Sequence, residues 1–279
     1  MSEKFGLVLG GGGARGAAHI GVFAELERVG AEPDLITGTS IGGLIGALVA
    51  AGFAADDLTA LFEKLSITQL FGLPGSLPAF SHNNKIEKLL EETLGRITFA
   101  DLAIPLAVVT TNVVTRKPLI IDDGDLISAI LATIAIPMVL PPVSRGGHTL
   151  VDGGLLNNVP FDVAYARGAT YVLAVDLTNT APYGTPNDDA PPATGVIERV
   201  LNVSQRNRSL QMLSTLIDLV TEQSLNTRLA ISQPEILLRP YLGTIGILDF
   251  HRWQEGVEAG KTAVSPHLDA IVKAVVGKL

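Results

Sequence analysis

Asp34-Leu35-Ile36-Thr37-Gly38-Thr39-Ser40-Ile41-Gly42-Gly43-Leu44-Ile45-Gly46-Ala47-Leu48-Val49-Ala50-Ala51 is the stretch whose reading decides the fold. Its first four residues form a short apolar strand and its last nine a buried helix. Between them lies Gly38-x-Ser40-x-Gly42, so the serine sits at a sharp strand-to-helix turn, the arrangement of a nucleophile elbow. Small residues on either side let two backbone segments approach closely and let the serine take a strained conformation with its hydroxyl exposed. The helix start then aims N–H groups and the positive end of its dipole at any oxyanion formed there. A glycine-rich turn that happens to contain serine is the competing reading, and the strand and helix on either side favour the elbow.

Outward from this turn, strands and helices alternate. Phe5 to Leu9 is an apolar run ending in glycines, and Gly16 to Val29 carries two apolar stripes at helical spacing. Ala55 to Leu65, Asn84 to Leu94 and Asp125 to Ile134 read as helices, with Leu70 to Ser81 a loop. Pro105 to Val113, Pro118 to Ile121 and Thr149 to Val151 read as strands. Pro160 to Arg167 is a helix with proline in its first turn, followed by a strand over Thr170 to Val175. This rhythm predicts βαβ units, an α/β fold with a mostly parallel central sheet flanked by helices. Thr178 to Thr194, with four prolines, breaks it as a mobile, lid-like loop. Val196 to Leu229 is one long amphipathic helix or two, Glu235 to Arg239 one more strand, and Asp249 to Val276 mostly helical. The chain contains no internal repeat and reads as one domain over residues 1–279, its part beyond 195 helical.

Composition removes several function classes. The 279 residues are 47% hydrophobic, enough for a sizeable core. A net charge of −8 leaves no basic stripe for nucleic acid and weakens electrostatic binding to anionic lipid. Without cysteine there are no disulfides, thiolate nucleophiles or thiolate-held metals, which fits the cytosol. The N-terminal apolar run is too short for a signal peptide. Leu35 to Ala55 and Leu126 to Ser144 carry no charge over 21 and 19 residues. Either is long enough to span a bilayer, but the first contains the serine turn and five glycines and the second three prolines. Both read as core.

The first strand opens into Gly10-Gly11-Gly12-Gly13-Ala14-Arg15-Gly16. Gly11-x-Gly13-x-x-Gly16 satisfies a dinucleotide fingerprint, but the acid that should end the second strand is replaced by Gly38-Thr39-Ser40. No Gly-Lys-Ser/Thr follows, so a phosphate-binding P-loop is excluded. Consecutive glycines can turn several N–H groups toward one point, so Gly11, Gly12 and Gly13 are candidates for an oxyanion hole. Arg15 is a candidate substrate contact for a phosphate, a brace for the loop, or a solvated arginine. The third piece is Val151-Asp152-Gly153-Gly154, an aspartate at a strand end. Taken alone it reads as a turn aspartate.

Taken together, Gly-Gly-Gly-Gly-Ala-Arg-Gly, Gly-Thr-Ser-Ile-Gly and Asp-Gly-Gly, in this order and spacing, resemble the patatin-like phospholipase family, bacterial members included. Ala132 to Pro137 followed by Pro141-Pro142-Val143 resembles that family's run ahead of its aspartate. The resemblance covers roughly Phe5 to Val175. It implies a three-layer α/β architecture and a Ser-Asp dyad, with Ser40 the nucleophile, Asp152 the base and Gly11, Gly12 and Gly13 the oxyanion hole. It implies hydrolysis of acyl esters of lipids, with no cofactor and no catalytic metal. Independently, the histidines and carboxylates show no His-x-x-x-His or Glu-x-x-His spacing.

Two rivals stay in view. A Ser-Asp-His triad in hydrolase order would need His251 or His267, both in a polar helical tail where a surface histidine is the expected reading. A non-catalytic acyl-binding regulatory protein could keep the fold without turnover. The apolar loop Phe71 to Phe80 and the stretch Val196 to Val220 are expected to flank the entrance, touching the acyl chain or, peripherally, a membrane.

Overall fold

The computed structural model describes residues 3–64, 80–137, 139–178 and 208–276. One eight-stranded sheet takes strands from nearly its whole length: β1 (Phe5–Leu9), β2 (Leu35–Thr39), β3 (Leu106–Asn112), β4 (Lys117–Ile121), β5 (Val143–Arg145), β6 (His148–Asp152), β7 (Tyr171–Val175) and β8 (Ile236–Leu238). The order is β5-β6-β3-β2-β1-β7-β8, with β4 also paired to β3. From β3 to β8 all neighbours are parallel, and the antiparallel pairs gather around β3, β4, β5 and β6. The sheet is therefore mixed, with a parallel majority.

Side chains alternate across it, as strands buried on both faces require. Phe5, Leu7 and Leu9 of β1 enter the larger core with Leu173 and Val175 of β7. Val8, Val172 and Ala174 face a smaller cluster with Phe161, Ala164 and Leu225. The larger layer contains α1 (Ala17–Arg28), α2 (Ile41–Ala50), α3 (Ala55–Lys64), α4 (Phe80–Leu94) and α5 (Leu126–Thr133). The other face is covered by α7 (Phe161–Ala166) and by Leu225 of α8 (Arg208–Leu229). The short α6 (Gly154–Asn157) follows β6. Helices on both faces make three layers.

The chain returns to the first layer as α9 (Trp253–Val264), which lies against α1, followed by α10 (Leu268–Ile271). The contact is backbone to backbone. A Cβ on Gly21 would collide with the Val257 carbonyl, and one on Gly260 with the Ala18 carbonyl. This fit fixes the segment before α9, whose Ile247 carbonyl accepts from the Ala14 N–H at 2.9 Å.

Most expected elements form, with boundaries shifted by a few residues. Helix α4 begins at Phe80 rather than Asn84, and β2 runs on to Thr39 because Gly38 and Thr39 pair with Val108 and Val109. Strand β5 and helix α6 were not foreseen. At three and four residues, they carry no periodicity to read and exist through tertiary pairing. Of the expected entrance loop, residues 71–79 lie outside the described residues, as do 179–194 of the proline-rich loop and 196–207 of the amphipathic stretch. Among the described residues, no helix is long and apolar enough to cross a membrane.

Candidate active site

The register of β3 explains how two distant motifs meet. Its Val108–Asn112 side pairs with β4, leaving the opposite edge for two other strands. Strand β2 occupies that edge up to Thr39 opposite Val109, running parallel. Strand β6 occupies it from the other end, antiparallel, with Asp152 opposite Thr110. The two strands thus end head to head at neighbouring residues of β3. Ser40 leaves one end and Asp152 terminates the other.

Ser40 has φ 55° and ψ −127°, a positive-φ conformation that costs a non-glycine residue on the order of 1–3 kcal/mol. The surroundings hold it there. A Cβ on Gly42 would strike the Leu9 carbonyl, and one on Gly38 would lie 2.5 Å from the Gly42 carbonyl oxygen. Only glycine lets β1, the turn and α2 come this close. The Ser40 N–H donates to Thr133 Oγ1 at 2.9 Å, and the Thr133 hydroxyl donates to the Val109 carbonyl at 2.6 Å. Thr39 Oγ1 donates to the Asn157 carbonyl at 2.9 Å.

Both Ser40 and Asp152 are buried, at 5% and 6% exposure. The Gly154 N–H donates to Asp152 Oδ1 at 2.8 Å. Burial pushes the Asp152 pKa up to about 6, while the nearby Ser40 side chain and the Gly154 N–H favour the charged form and pull against that rise. The result is a carboxylate more basic than usual and still ionised at neutral pH.

Histidine stands elsewhere. His251 is exposed and His267 half-buried, and neither lines the cavity at Ser40. His19 is wholly buried on α1, where desolvation lowers its pKa to about 4. Being neutral, it must donate its Nε2–H to the Gly10 carbonyl, 2.7 Å away. It is more than the packing residue its position suggests, since it holds the head of the glycine loop.

The glycine loop divides its work. Gly11 does not offer its N–H to the cavity: that group donates to the Asn158 carbonyl and to Asn158 Oδ1, both at 3.2 Å. The N–H groups of Gly12 and Gly13 take no partner among the described residues, and both glycines line the cavity with Ser40 and Asp152. Arg15 is 2% exposed and does not line the cavity. Its Nε donates to the Ile245 carbonyl at 2.9 Å, and its two terminal nitrogens grip Asp218 of α8 at 2.8 and 3.1 Å. Of the three roles open to Arg15, this geometry corresponds to the brace. Its guanidinium is spent on the protein rather than left for a phosphate.

The cavity at Ser40 and Asp152 is small, about 50 Å³, room for a few water molecules. Ile136, Pro137, Leu155 and Ile247 give it apolar walls, and α8 closes it with Ile217, Asp218 and Thr221. Of the amphipathic stretch expected at the entrance, Ile217 and Asp218 line this cavity. Sequence reading missed Thr133, His19 and Asn158. Their traces are the Ala132–Pro137 run that contains Thr133, a pair of asparagines soon after Asp-Gly-Gly and a histidine in the first helix. Among the described residues no cluster of histidines and carboxylates could hold a metal ion.

Comparisons with known proteins identify the family and the fold. The family model described as patatin-like phospholipase matches residues 7–165. An uncharacterised NTE family protein of Mycobacterium tuberculosis is 31% identical over 96% of this chain and 47% of its own length. The human patatin-like phospholipase domain-containing protein 6 is 34% identical over 64% of this chain and 14% of its own length. The chain therefore spans half or less of the curated relatives it matches. Among solved structures, VipD from Legionella pneumophila superposes with a TM-score of 0.61 over 96% of this chain and 67% of that one, at 15% identity, a likeness of fold. With more than half of its residues under the family model and the three motifs gathered at one junction of the sheet, the chain belongs to the patatin-like phospholipase family.

Proposed function

We propose that this chain is a serine acyl hydrolase that cleaves carboxylic esters of lipids through a Ser40–Asp152 dyad. The carrying observation is that the strained Ser40 and the buried Asp152, whose pKa stands near 6, lie at the facing ends of β2 and β6 and line one cavity. As the ester carbonyl arrives, Ser40 Oγ attacks its carbon and passes its proton to Asp152. The carbonyl oxygen becomes an oxyanion, met by the N–H groups of Gly12 and Gly13 and by the start of α2. The tetrahedral intermediate collapses, the ester C–O bond breaks, and Asp152 returns the proton to the departing alkoxide. Water then attacks the acyl-enzyme, with Asp152 taking its proton and giving it back to Ser40. No metal or histidine is needed. The family membership and the apolar cavity walls support a lipid-like acyl ester as substrate.

A cavity this small does not hold an acyl chain, so α8 moves outward when substrate enters. Its outer face carries Met212, Leu216, Leu219 and Val220, all exposed. In this reading they meet the lipid surface. Contact is hydrophobic and weakly salt-dependent, as the net negative charge requires. The chain works as an acyl-hydrolase domain of the cytosol that touches membranes peripherally.

The test is trapping with a fluorophosphonate probe and mapping of the adduct, with p-nitrophenyl butyrate turnover measured alongside. The adduct is expected on Ser40, and Ser40→Ala is expected to lose labelling and turnover while keeping the wild-type melting curve. A folded Ser40→Ala protein with wild-type turnover would overturn the reading.

A further inference from the structure

We infer that Asn158 is a positioning residue that holds the oxyanion loop in its working orientation; this rests on the hydrolase reading above. Asn158 is buried, at 7% exposure, and lines the cavity. Its side-chain amide embraces one residue of the loop on both sides. Oδ1 accepts from the Gly11 N–H at 3.2 Å, and Nδ2 donates to the Gly11 carbonyl at 3.3 Å. The backbone carbonyl of Asn158 accepts from the same Gly11 N–H at 3.2 Å. Gly11 is shaped for this embrace, because a Cβ there would sit 2.5 Å from Asn158 Oδ1.

The consequence follows from peptide geometry. The Gly11 carbonyl and the Gly12 N–H belong to one planar unit, and in a trans peptide they point in opposite directions. Holding the carbonyl on Asn158 fixes the plane and leaves the Gly12 N–H on the far edge, free to donate. A glycine-glycine peptide left alone can rotate. Rotation would bring a carbonyl oxygen where the donor belongs, and the developing oxyanion would meet a negative dipole. The Gly10 carbonyl, one peptide earlier, is pinned by His19 at 2.7 Å, so the loop is held at two successive peptides.

The same segment is tied to the nucleophile. The Asn157 carbonyl accepts from Thr39 Oγ1, immediately before Ser40, and the chain between Asp152 and Asn157 is α6. The Asn157-Asn158 pair thus joins the elbow, the base and the oxyanion loop. Removing the Asn158 amide releases the loop while leaving Ser40 and Asp152 in place.

The experiment compares Asn158→Ala and Asn158→Leu with wild type on p-nitrophenyl butyrate, with kcat expressed per site titrated by fluorophosphonate. Leucine keeps the volume and removes both hydrogen bonds. Loss of one oxyanion donor typically costs about 100- to 1000-fold. Both variants are expected to lose roughly 10- to 100-fold in kcat, with KM changed less than twofold. Affinity for a trifluoromethyl ketone, which mimics the tetrahedral intermediate, is expected to fall in proportion. The acid limb of the pH profile stays where wild type has it. A role in packing alone would not move ketone affinity in step with kcat. Wild-type kcat in either folded variant, a kcat loss with ketone affinity unchanged, or failure of both variants to fold would each overturn the inference. A wild type that never turns over the ester would instead sink the hydrolase reading itself.

Discussion

The floor and the roof of this site are built on opposite principles. The floor is backbone. Ser40 is strained between two glycines, its N–H is relayed through Thr133 to β3, and the glycine loop is gripped by His19 and Asn158. Almost every group there is buried and partnered. The roof is the N-terminal half of α8, and it is held by side chains. Its C-terminal half is anchored to the body by buried Leu225, by Ser224 on the Leu156 carbonyl at 2.9 Å and by Arg228 on Asp162 at 2.5 Å. Toward the cavity the tie is the Asp218–Arg15 pair, while Met212, Leu216, Leu219 and Val220 face outward. Chemistry needs fixed geometry and substrate entry needs a part that yields. In the proposed reading the fold gives the first to the sheet and the second to one helix.

The sharpest way to break this comparison is at the floor. Asp152→Asn keeps the shape and a hydrogen-bonding oxygen but removes the carboxylate proposed as the base. We expect a loss of kcat of about 1000-fold or more, similar to Ser40→Ala, measured on a short p-nitrophenyl ester. His251→Ala and His267→Ala should retain at least half of wild-type activity, since neither lines the cavity. Strong loss in a histidine variant beside an active Asp152→Asn would replace the dyad with a triad.

The next effect is set by pH. In the proposed dyad Asp152 acts as a base only when ionised, and its pKa stands near 6. The profile of kcat/KM should therefore be flat from about pH 7 to 8 and fall about tenfold per unit well below 6. The linkage to stability has the opposite sign. A carboxyl whose folded pKa is raised holds its proton more tightly in the native state, so its burial costs stability progressively as pH rises from about 4 to 6. Above that window the cost approaches roughly 3 kcal/mol, at about 1.4 kcal/mol per unit. Asp152→Asn should then melt higher than wild type at pH 8, with the gap closing near pH 4. Activity unchanged at pH 5, or a melting gap that widens on acidification, would place the base elsewhere.

This division also accounts for what could be read in the chain. The floor was legible because its parts are local: glycines at fixed spacing, an apolar strand before the serine, an apolar helix after it. Even the meeting of Ser40 with Asp152 follows once β2 and β6 are known to end on β3. What stayed hidden joins residues far apart in sequence. Asn158 reaches Gly11 across 147 positions and Arg15 reaches Asp218 across 203. A lone asparagine or arginine carries no mark of its partner, so the engagement of the Gly11 N–H and the bracing role of Arg15 needed coordinates. The seam of α1 and α9 was hidden for the same reason, since Gly21 and Gly260 declare nothing until two backbones touch.

The smallest expected effect lies at the roof, and it separates the two regions most directly. Asp218→Asn keeps the size of the side chain but removes the charge that Arg15 grips. A bidentate ion pair becomes at best a hydrogen bond from the guanidinium to a neutral amide oxygen. Arg15 retains the Ile245 and Leu177 carbonyls, so the fold should survive with a loss of about 1–2 kcal/mol on thermal unfolding. With the tie loosened, α8 should open more often. A soluble fluorophosphonate should then label Ser40 about two- to fivefold faster than in wild type. Neutral phosphatidylcholine vesicles, offering a surface to Met212, Leu216, Leu219 and Val220, should speed labelling of wild type by a similar factor and add little to the variant. High salt should leave the vesicle effect intact. Slower labelling of a folded Asp218→Asn protein would show that the pair shapes the floor rather than latching the roof. An equal acceleration of both proteins by vesicles would separate the latch from the lipid surface.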